Sequence, residues 1–568
     1  MEFKHVVQGG LRQLSLWIVD GWYSDVHVEG ASNVPKTGPL ILAATHHNEI
    51  VDVAVLSARI PHERPIGYWA KSSMFKHPFT KFWMENSGAL SVTRNPNYVE
   101  TSNASTSDTS SNGDLFKDTV KALSQGQVIG IFPEGTSYTL PAIAQVLPGA
   151  ARAAIEYARS VRREKLEGMK SDRERQIYLN GVGRHGEVTG LRIVPVGIVY
   201  EDKERYMSRV CVGFGEPIDV DKYTQELFQE GISHADAAKC VVKKLNAELE
   251  RRLLALTVNA PDWGTFYAAQ MAMKILWGDE ENVPLETWVK IMQSLVDMFS
   301  SDPKLDSVRK ALVRYHALLY YTGIDHAILE EVLPLSPTSA NLTYPLLWDT
   351  FAKIAVGFPV ALAQFFAFLP AFFFHVPGYI TALSAVRMLS GPGEAETKAE
   401  YGAAGGGIGI GLTVLVSLVW LWIKGLLGGE FGFRKMIGLG LLVYACVYVL
   451  VEWHLMFVRG NLRQMRRLMT FGKLILGRAL PCNLSMQELQ KYNIRPPPSV
   501  NVFIKNDQSS AVRATKRPPP ITPHKLVQEM LLARLQAHIS LGNYMRHSDS
   551  KETTFLLSQG GRVPFVVA

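Results

Sequence analysis

Cysteine is scarce. The 568 residues hold four, Cys211, Cys240, Cys446 and Cys482, all far apart. No pair has zinc spacing or a CxxC, so neither a disulfide framework nor a cysteine metal site is indicated, and a reducing, cytosol-facing chain is expected. Zinc-finger, basic-zipper and aromatic RNA-binding signatures are absent as well, which sets nucleic acid aside. Charged residues make up only 20%, with a net charge of +7. That mild basic excess suits an anionic membrane surface or a phosphorylated substrate.

What is present is uneven. The mean hydropathy of +0.04 averages over unlike stretches. Residues 1–26 carry Leu11, Leu14, Ile18 and Trp22 at helical spacing, but Lys4, Arg12 and Asp20 interrupt the run. That excludes a signal peptide and leaves either an interfacial helix or one packed on its own domain. Residues 27–256 read as an α/β domain. The short apolar runs Leu40–Ala44, Val128–Phe132, Ile193–Tyr200 and Val210–Phe214 are expected strands, and Asp221–Leu256 has the length and period of a helix. The Ser/Thr/Asn-rich stretch 95–114 reads as a surface loop. Residues 257–345 form a helical region of amphipathic segments with aromatic faces.

Three apolar stretches follow, within residues 346–460. Ile354–Val386 lacks Asp, Glu, Lys and Arg and is longer than the roughly 20 residues of one spanning helix. Pro359, Pro370 and Pro377 punctuate it, which favours a hairpin. Gly402–Ile423 and Met436–Val451, extending towards Val458, are further spans. Arg459, Arg463, Arg466, Arg467, Lys473 and Arg478 come next, and positive charge beside a span favours the cytoplasm. With a hairpin, this cluster and the α/β domain share one side. Residues 461–568 form a basic tail with linkers at Pro496–Pro498 and Pro518–Pro520 and an amphipathic helix expected over Pro523–His547.

Four blocks carry candidate chemistry. In His46-His47-Asn48-Glu49-Ile50-Val51-Asp52, an imidazole can be held by a carboxylate five positions on, which frees its other nitrogen to act as a general base. His47 has that spacing to Asp52; His46 does not. Composition alone supplies about one such pair per chain, so the block is weak by itself. Phe132-Pro133-Glu134-Gly135-Thr136-Ser137 ends a strand-like run, and about 0.5% of chains this long contain the string FPEG by chance. Glycine permits close approach of backbone to ligand, hydroxyls can bond a phosphate, and a carboxylate can orient cationic side chains. Gly88-Ala-Leu-Ser-Val-Thr-Arg94 offers an arginine fork, and Ile193-Val194-Pro195-Val196-Gly197 reads as a buried strand.

In this order and spacing the four blocks resemble the glycerophosphate acyltransferase superfamily, over about residues 27–220. Lys71, in Trp69-Ala-Lys-Ser-Ser-Met-Phe, and Phe214-Gly-Glu-Pro217 agree with it. The FPEGTS variant and the apolar region after the domain look most like fungal membrane-bound glycerol-3-phosphate/dihydroxyacetone phosphate sn-1 acyltransferases. Ser137 stands where many lysophosphatidate acyltransferases have arginine.

The resemblance implies an α/β acyltransferase domain, a mixed sheet flanked by helices, followed by helical membrane segments. It implies acyl transfer from acyl-CoA, as co-substrate, to glycerol 3-phosphate or dihydroxyacetone phosphate, with no cofactor and no metal. His47 would be the base and Asp52 its partner, and Arg94, Glu134, Gly135, Thr136 and Lys71 would bind substrate. It further implies an integral protein of the endoplasmic reticulum with its catalytic domain facing the cytosol. No GxSxG elbow and no cysteine lies near the motifs, so direct transfer is expected rather than an acyl-enzyme. The alternatives are a lysophosphatidate acyltransferase and a catalytically dead membrane scaffold. Gly405–Gly411 opens an apolar span without a preceding strand or a P-loop lysine, so it reads as close helix packing.

Overall fold

The computed structural model describes residues 2–92, 109–229, 231, 233–335, 342–391, 394–423, 433–480, 484–498 and 518–564. The chain forms two compact units, one built on Met1–Val258 and the other on Asn259–Ser499 with Gln508–Ala568. The pieces expected at 257–345, 346–460 and 461–568 therefore fold together as the second unit.

In the first unit, α1 (Glu2–Trp22) and β1 (Asp25–Glu29) precede β2 (Leu40–Ala44), α2 (Glu49–Arg59), β3 (Ile66–Lys71), α3 (Pro78–Ser87) and β4 (Leu90–Val92). Next come α4 (Thr109–Ser124), β5 (Val128–Ile131), α5 (Gly149–Gly168), α6 (Asp172–His185), β6 (Arg192–Tyr200), β7 (Arg209–Phe214), β8 (Ile218–Asp219), α7 (Asp221–Leu227) and α8 (His234–Ala255). The sheet order is β1-β7-β6-β2-β5-β3-β4, with β8 on β6. From β6 to β4 all neighbours are parallel, so the carboxyl ends of five strands share one edge. β7 and β8 run antiparallel to β6, which makes the sheet mixed, as expected.

β2 shows why the apolar runs become central strands. All five of its residues have zero exposure, so both faces are covered, the mark of a parallel strand between helix layers. On one face Ala150, Ala151, Ala153 and Ala154 of α5 are small enough to bring that helix close, and Leu245, Leu249 and Leu253 of α8 add a stripe at four-residue spacing. Each fully buried leucine or isoleucine contributes roughly 1.5–3 kcal/mol.

Two expectations fail in this unit. Asp221–Leu256 is not one helix, since it breaks between α7 and α8 around Gly231, whose φ of 87° is left-handed. Of the loop expected at 95–114, residues 109–114 are the first turns of α4, and the rest lie outside the described residues.

The second unit contains α9 (Trp263–Trp277), α10 (Leu285–Ser301), α11 (Asp306–Thr322), α12 (His326–Val332), α13 (Tyr344–Leu389), α14 (Lys398–Ile423), α15 (Phe433–Ala479), α16 (Met486–Gln490), α17 (Val527–His547) and α18 (Lys551–Ser558). α17 lies where the tail helix was expected. Three of these helices, α13, α14 and α15, are long and apolar enough to cross a membrane.

The hairpin expected around the three prolines is absent. α13 is a single helix of 46 residues with Pro359, Pro370 and Pro377 inside it, about 69 Å long. Each proline removes one backbone donor. In an apolar setting, however, unwinding would strand many more polar groups, so the helix continues through them. The glycine run packs as expected. A Cβ on Gly409 would lie 2.2 Å from Thr381 Oγ1 and 2.6 Å from Gly378 Cα, so only glycine lets α14 approach α13 this closely.

Charge fixes a further point. On α15, Arg459 pairs with Glu281 at 3.0 Å, Arg463 with Asp279 at 3.2 Å and with Glu331, and Arg467 with Glu331 at 2.6 Å. Arg314 of α11 pairs with Glu529 of α17 at 2.7 Å. Helices that precede the apolar segments thus pack on one that follows them.

Candidate active site

The site is built where β2 ends. Thr45 continues the strand's pairing, its N–H donating to Val196 O at 3.0 Å and its hydroxyl accepting from Ile198 N at 2.9 Å. The chain then turns sharply through Glu49, whose φ of 45° is left-handed, and enters α2. This turn folds Asp52 back over the loop. Its Oδ2 accepts from Asn48 N at 2.7 Å and lies 3.0 Å from His46 Nδ1, while its Oδ1 accepts from Tyr200 OH at 2.5 Å. Asp52 has zero exposure and sits in the first turn of α2, where the helix dipole favours negative charge. Burial, followed by the charge of Asp52, holds the Tyr200 phenol well above its ordinary range, so Tyr200 remains a donor.

The pairing expected for His47 therefore falls on His46. Counting positions assumed a regular reach of five residues, whereas the left-handed turn at Glu49 brings the sixth residue's carboxylate onto His46. With Asp52 as acceptor, the proton sits on Nδ1 and Nε2 presents its lone pair. Nε2 has no partner among the described residues, and the side chain is 14% exposed. Phe132 stacks on the imidazole at 4.2 Å and 21°. The His47 ring instead meets Tyr138 edge-on at 5.6 Å. Burial and the nearby Lys203 charge pull His47 down to about 4, so it is neutral near pH 7.

Glu134 is also placed differently from the expectation. It has zero exposure. Its Oε1 accepts from His46 N at 2.7 Å, and its Oε2 accepts from the Tyr138 hydroxyl. Both oxygens accept from the protein, and through the His46 N–H Glu134 positions the histidine loop. Burial pushes it up to about 8. Gly135 has φ 78°, and a Cβ there would lie 2.7 Å from Leu147 Cδ1, so the turn accepts only glycine. Thr136 and Ser137 are buried, and Ser137 Oγ donates to Glu49 Oε1 at 3.0 Å.

Lys71 ends β3 at the same sheet edge and is exposed. Arg94 lies outside the described residues. Lys203, which no motif flagged, donates to His47 O at 2.8 Å and Thr139 Oγ1 at 2.6 Å, tying the histidine loop to the loop after β5. Tyr200 is equally hidden, because it ends β6 and Lys203 follows in the next turn, so both are brought to the site only by the pairing of β6 with β2.

One group of side chains among the described residues has metal-like spacing. His326, Glu330 and His538, in the helical unit, bring their ligand atoms within 4.8 Å of one another. Arg534 already occupies Glu330, with Nη2 2.7 Å from Oε1, and His538 Nδ1 donates to Arg534 O at 2.9 Å. A divalent ion there would meet a buried guanidinium, so the donor set does not suit one.

Residues 25–199 match the family model described as Acyltransferase. The chain is 24% identical over 265 residues to Glycerol-3-phosphate O-acyltransferase 2 of Saccharomyces cerevisiae, covering 46% of this chain and 31% of that protein. It is 25% identical over 213 residues to Glycerol-3-phosphate O-acyltransferase 1 of the same yeast, covering 37% and 24%. An uncharacterized acyltransferase of Schizosaccharomyces pombe is 24% identical over 396 residues, with 55% and 54% covered. The matches thus span from about a quarter to about half of these relatives' own length.

Proposed function

We propose that residues 25–199, which match the Acyltransferase family model, form an acyltransferase domain of the glycerophosphate acyltransferase superfamily, and that the protein transfers a fatty acyl group from acyl-CoA to the sn-1 hydroxyl of glycerol 3-phosphate. Dihydroxyacetone phosphate is a second acceptor of the same chemistry. The observation that carries the reading is the His46–Asp52 pair, with Nε2 of His46 unpartnered among the described residues at the carboxyl edge of the sheet, where α/β folds bind their ligands.

In this mechanism His46 Nε2 takes the proton of the acceptor hydroxyl as its oxygen attacks the thioester carbonyl. Asp52 holds the resulting imidazolium. It is itself fixed by Tyr200 and the Asn48 N–H. Collapse of the tetrahedral intermediate breaks the carbon–sulfur bond, and the imidazolium returns its proton to the CoA thiolate. Lys71 and Arg94 are the proposed cations for the acceptor phosphate, and the turn at Gly135 and Thr136 borders it. The yeast relatives' names support glycerol 3-phosphate as the acceptor. The membrane-spanning helices suit an enzyme whose donor and product partition into a bilayer, and the cytosolic face of the endoplasmic reticulum is the proposed location.

The test is an acceptor panel with isolated membranes and one labelled acyl-CoA. Labelled lysophosphatidate from glycerol 3-phosphate supports the reading. Turnover of 1-acylglycerol 3-phosphate alone would replace it with the second acylation step.

A further inference from the structure

α3 is a ten-residue helix that leaves the sheet edge just after β3 and buries none of its residues. Phe79, Phe82 and Trp83 fall on one face at helical spacing and are 67%, 47% and 39% exposed. They touch one another in water, Phe79 and Trp83 at 6.3 Å and Phe82 and Trp83 at 5.7 Å between ring centres. Three large aromatics clustered on a surface helix have a solvation cost that scattered apolar residues do not, and such clusters mark contact surfaces.

The surroundings of the cluster say what it contacts. Lys71, Lys76 and Lys81 are exposed around it, and Glu85, which faces Lys81 at 3.7 Å, is the sole acid between residues 71 and 87. The helix is too short to cross a bilayer. Phenylalanine and tryptophan beside lysine are the residues that settle at headgroup depth, with the rings at the acyl boundary and the ammonium groups on lipid phosphates. The same chain carries three helices apolar enough to span a membrane. α1, which holds α3 through Gln8 Nε2 donating to Ser87 O at 3.1 Å, exposes Val6, Leu14 and Trp17.

We propose that the aromatic face of α3 docks on the surface of an anionic bilayer. The docking itself does not depend on which acceptor the enzyme uses.

The test uses the full chain in nanodiscs, with Cys240, Cys446 and Cys482 changed to serine. An environment-sensitive fluorophore is placed at Phe82→Cys, and in a second sample at Asp172→Cys, a fully exposed position on α6. With anionic lipid the Phe82 probe shifts to the blue and is quenched by doxyl-labelled lipid, whereas the Asp172 probe does neither. Lys76→Glu with Lys81→Glu lowers the quenching several-fold in anionic discs and little in zwitterionic ones, because each basic residue near an anionic surface adds about a factor of five. Equal, water-like emission at both positions would overturn the proposal. So would a blue shift without lipid quenching that grows with protein concentration, which would assign the face to a second copy of the chain. Loss of acyl transfer without loss of quenching would bear on the catalytic reading and leave the docking standing.

Discussion

Two clusters in this molecule bring histidine against a carboxylate, and they have opposite characters. At the sheet edge, His46 meets Asp52 on Nδ1 and leaves Nε2 unpartnered among the described residues, on a side chain 14% exposed. In the helical unit, His326 and His538 meet around Glu330, but Arg534, itself 1% exposed, already neutralises that carboxylate. Burial holds His326 down at about 3, so it stays neutral, and its Nδ1 is bonded to Tyr315 OH at 2.9 Å. The same residue types give a reactive pair in one place and a structural knot in the other. The deciding feature is what lies beyond the imidazole: open space at a strand edge, or a fixed cation inside a helix bundle.

The contrast can be broken from either side. Asp52→Asn should lower the acyl-transfer rate by about a thousandfold, because an amide fixes the wrong tautomer and stabilises no imidazolium; initial rates in isolated membranes measure this. Glu134→Gln should remove a pH effect on stability. Between the ordinary carboxyl value of 4.5 and about 8, the folded state holds a proton that the unfolded chain has released. Stability therefore falls as pH rises through that window, by about 3 kcal/mol from pH 5 to 8. Thermal unfolding of the wild type should show the decline, and the glutamine variant should show a flatter profile.

In the helical unit, Arg534→Met should cost about 2 kcal/mol by leaving Glu330 without its guanidinium and with His538 beside it, less than for a fully buried pair because Glu330 retains some contact with water. Its melting temperature should drop while the rate per folded molecule at low temperature stays unchanged. Tyr200→Phe removes one of the bonds to Asp52 and should slow turnover about tenfold without altering the apparent affinity for acyl-CoA. A larger loss would give the phenol a part in the chemistry itself.

Much of the first unit is legible in the sequence. β2, β5, β6 and β7 lie within a residue of the apolar runs that announce them, because strands buried on both faces must be continuously apolar. β1, β3 and β4 escape notice. β1 alternates with charged residues, and β4 spans only three residues. The motif blocks locate the site to within a few residues, yet spacing alone selects His47. The choice of His46 depends on a left-handed backbone at Glu49, a conformation that glutamate seldom adopts and that no pattern of residue types reveals. Glu134 reads from the sequence as a ligand for substrate, and its bonds to His46 N and the Tyr138 hydroxyl are visible only in the fold. In the second unit the apolar runs are plain, but proline suggests a break where a dry environment preserves the helix. The ion pair between Arg314 of α11 and Glu529 of α17 joins residues 215 positions apart, beyond any local signal.

The most direct test compares His46→Ala with His47→Ala in isolated membranes, scoring acyl transfer to glycerol 3-phosphate per mole of accumulated protein. The account predicts a loss of about a thousandfold for His46→Ala and a far smaller one for His47→Ala. Full activity in His46→Ala, with activity abolished in His47→Ala, would contradict it.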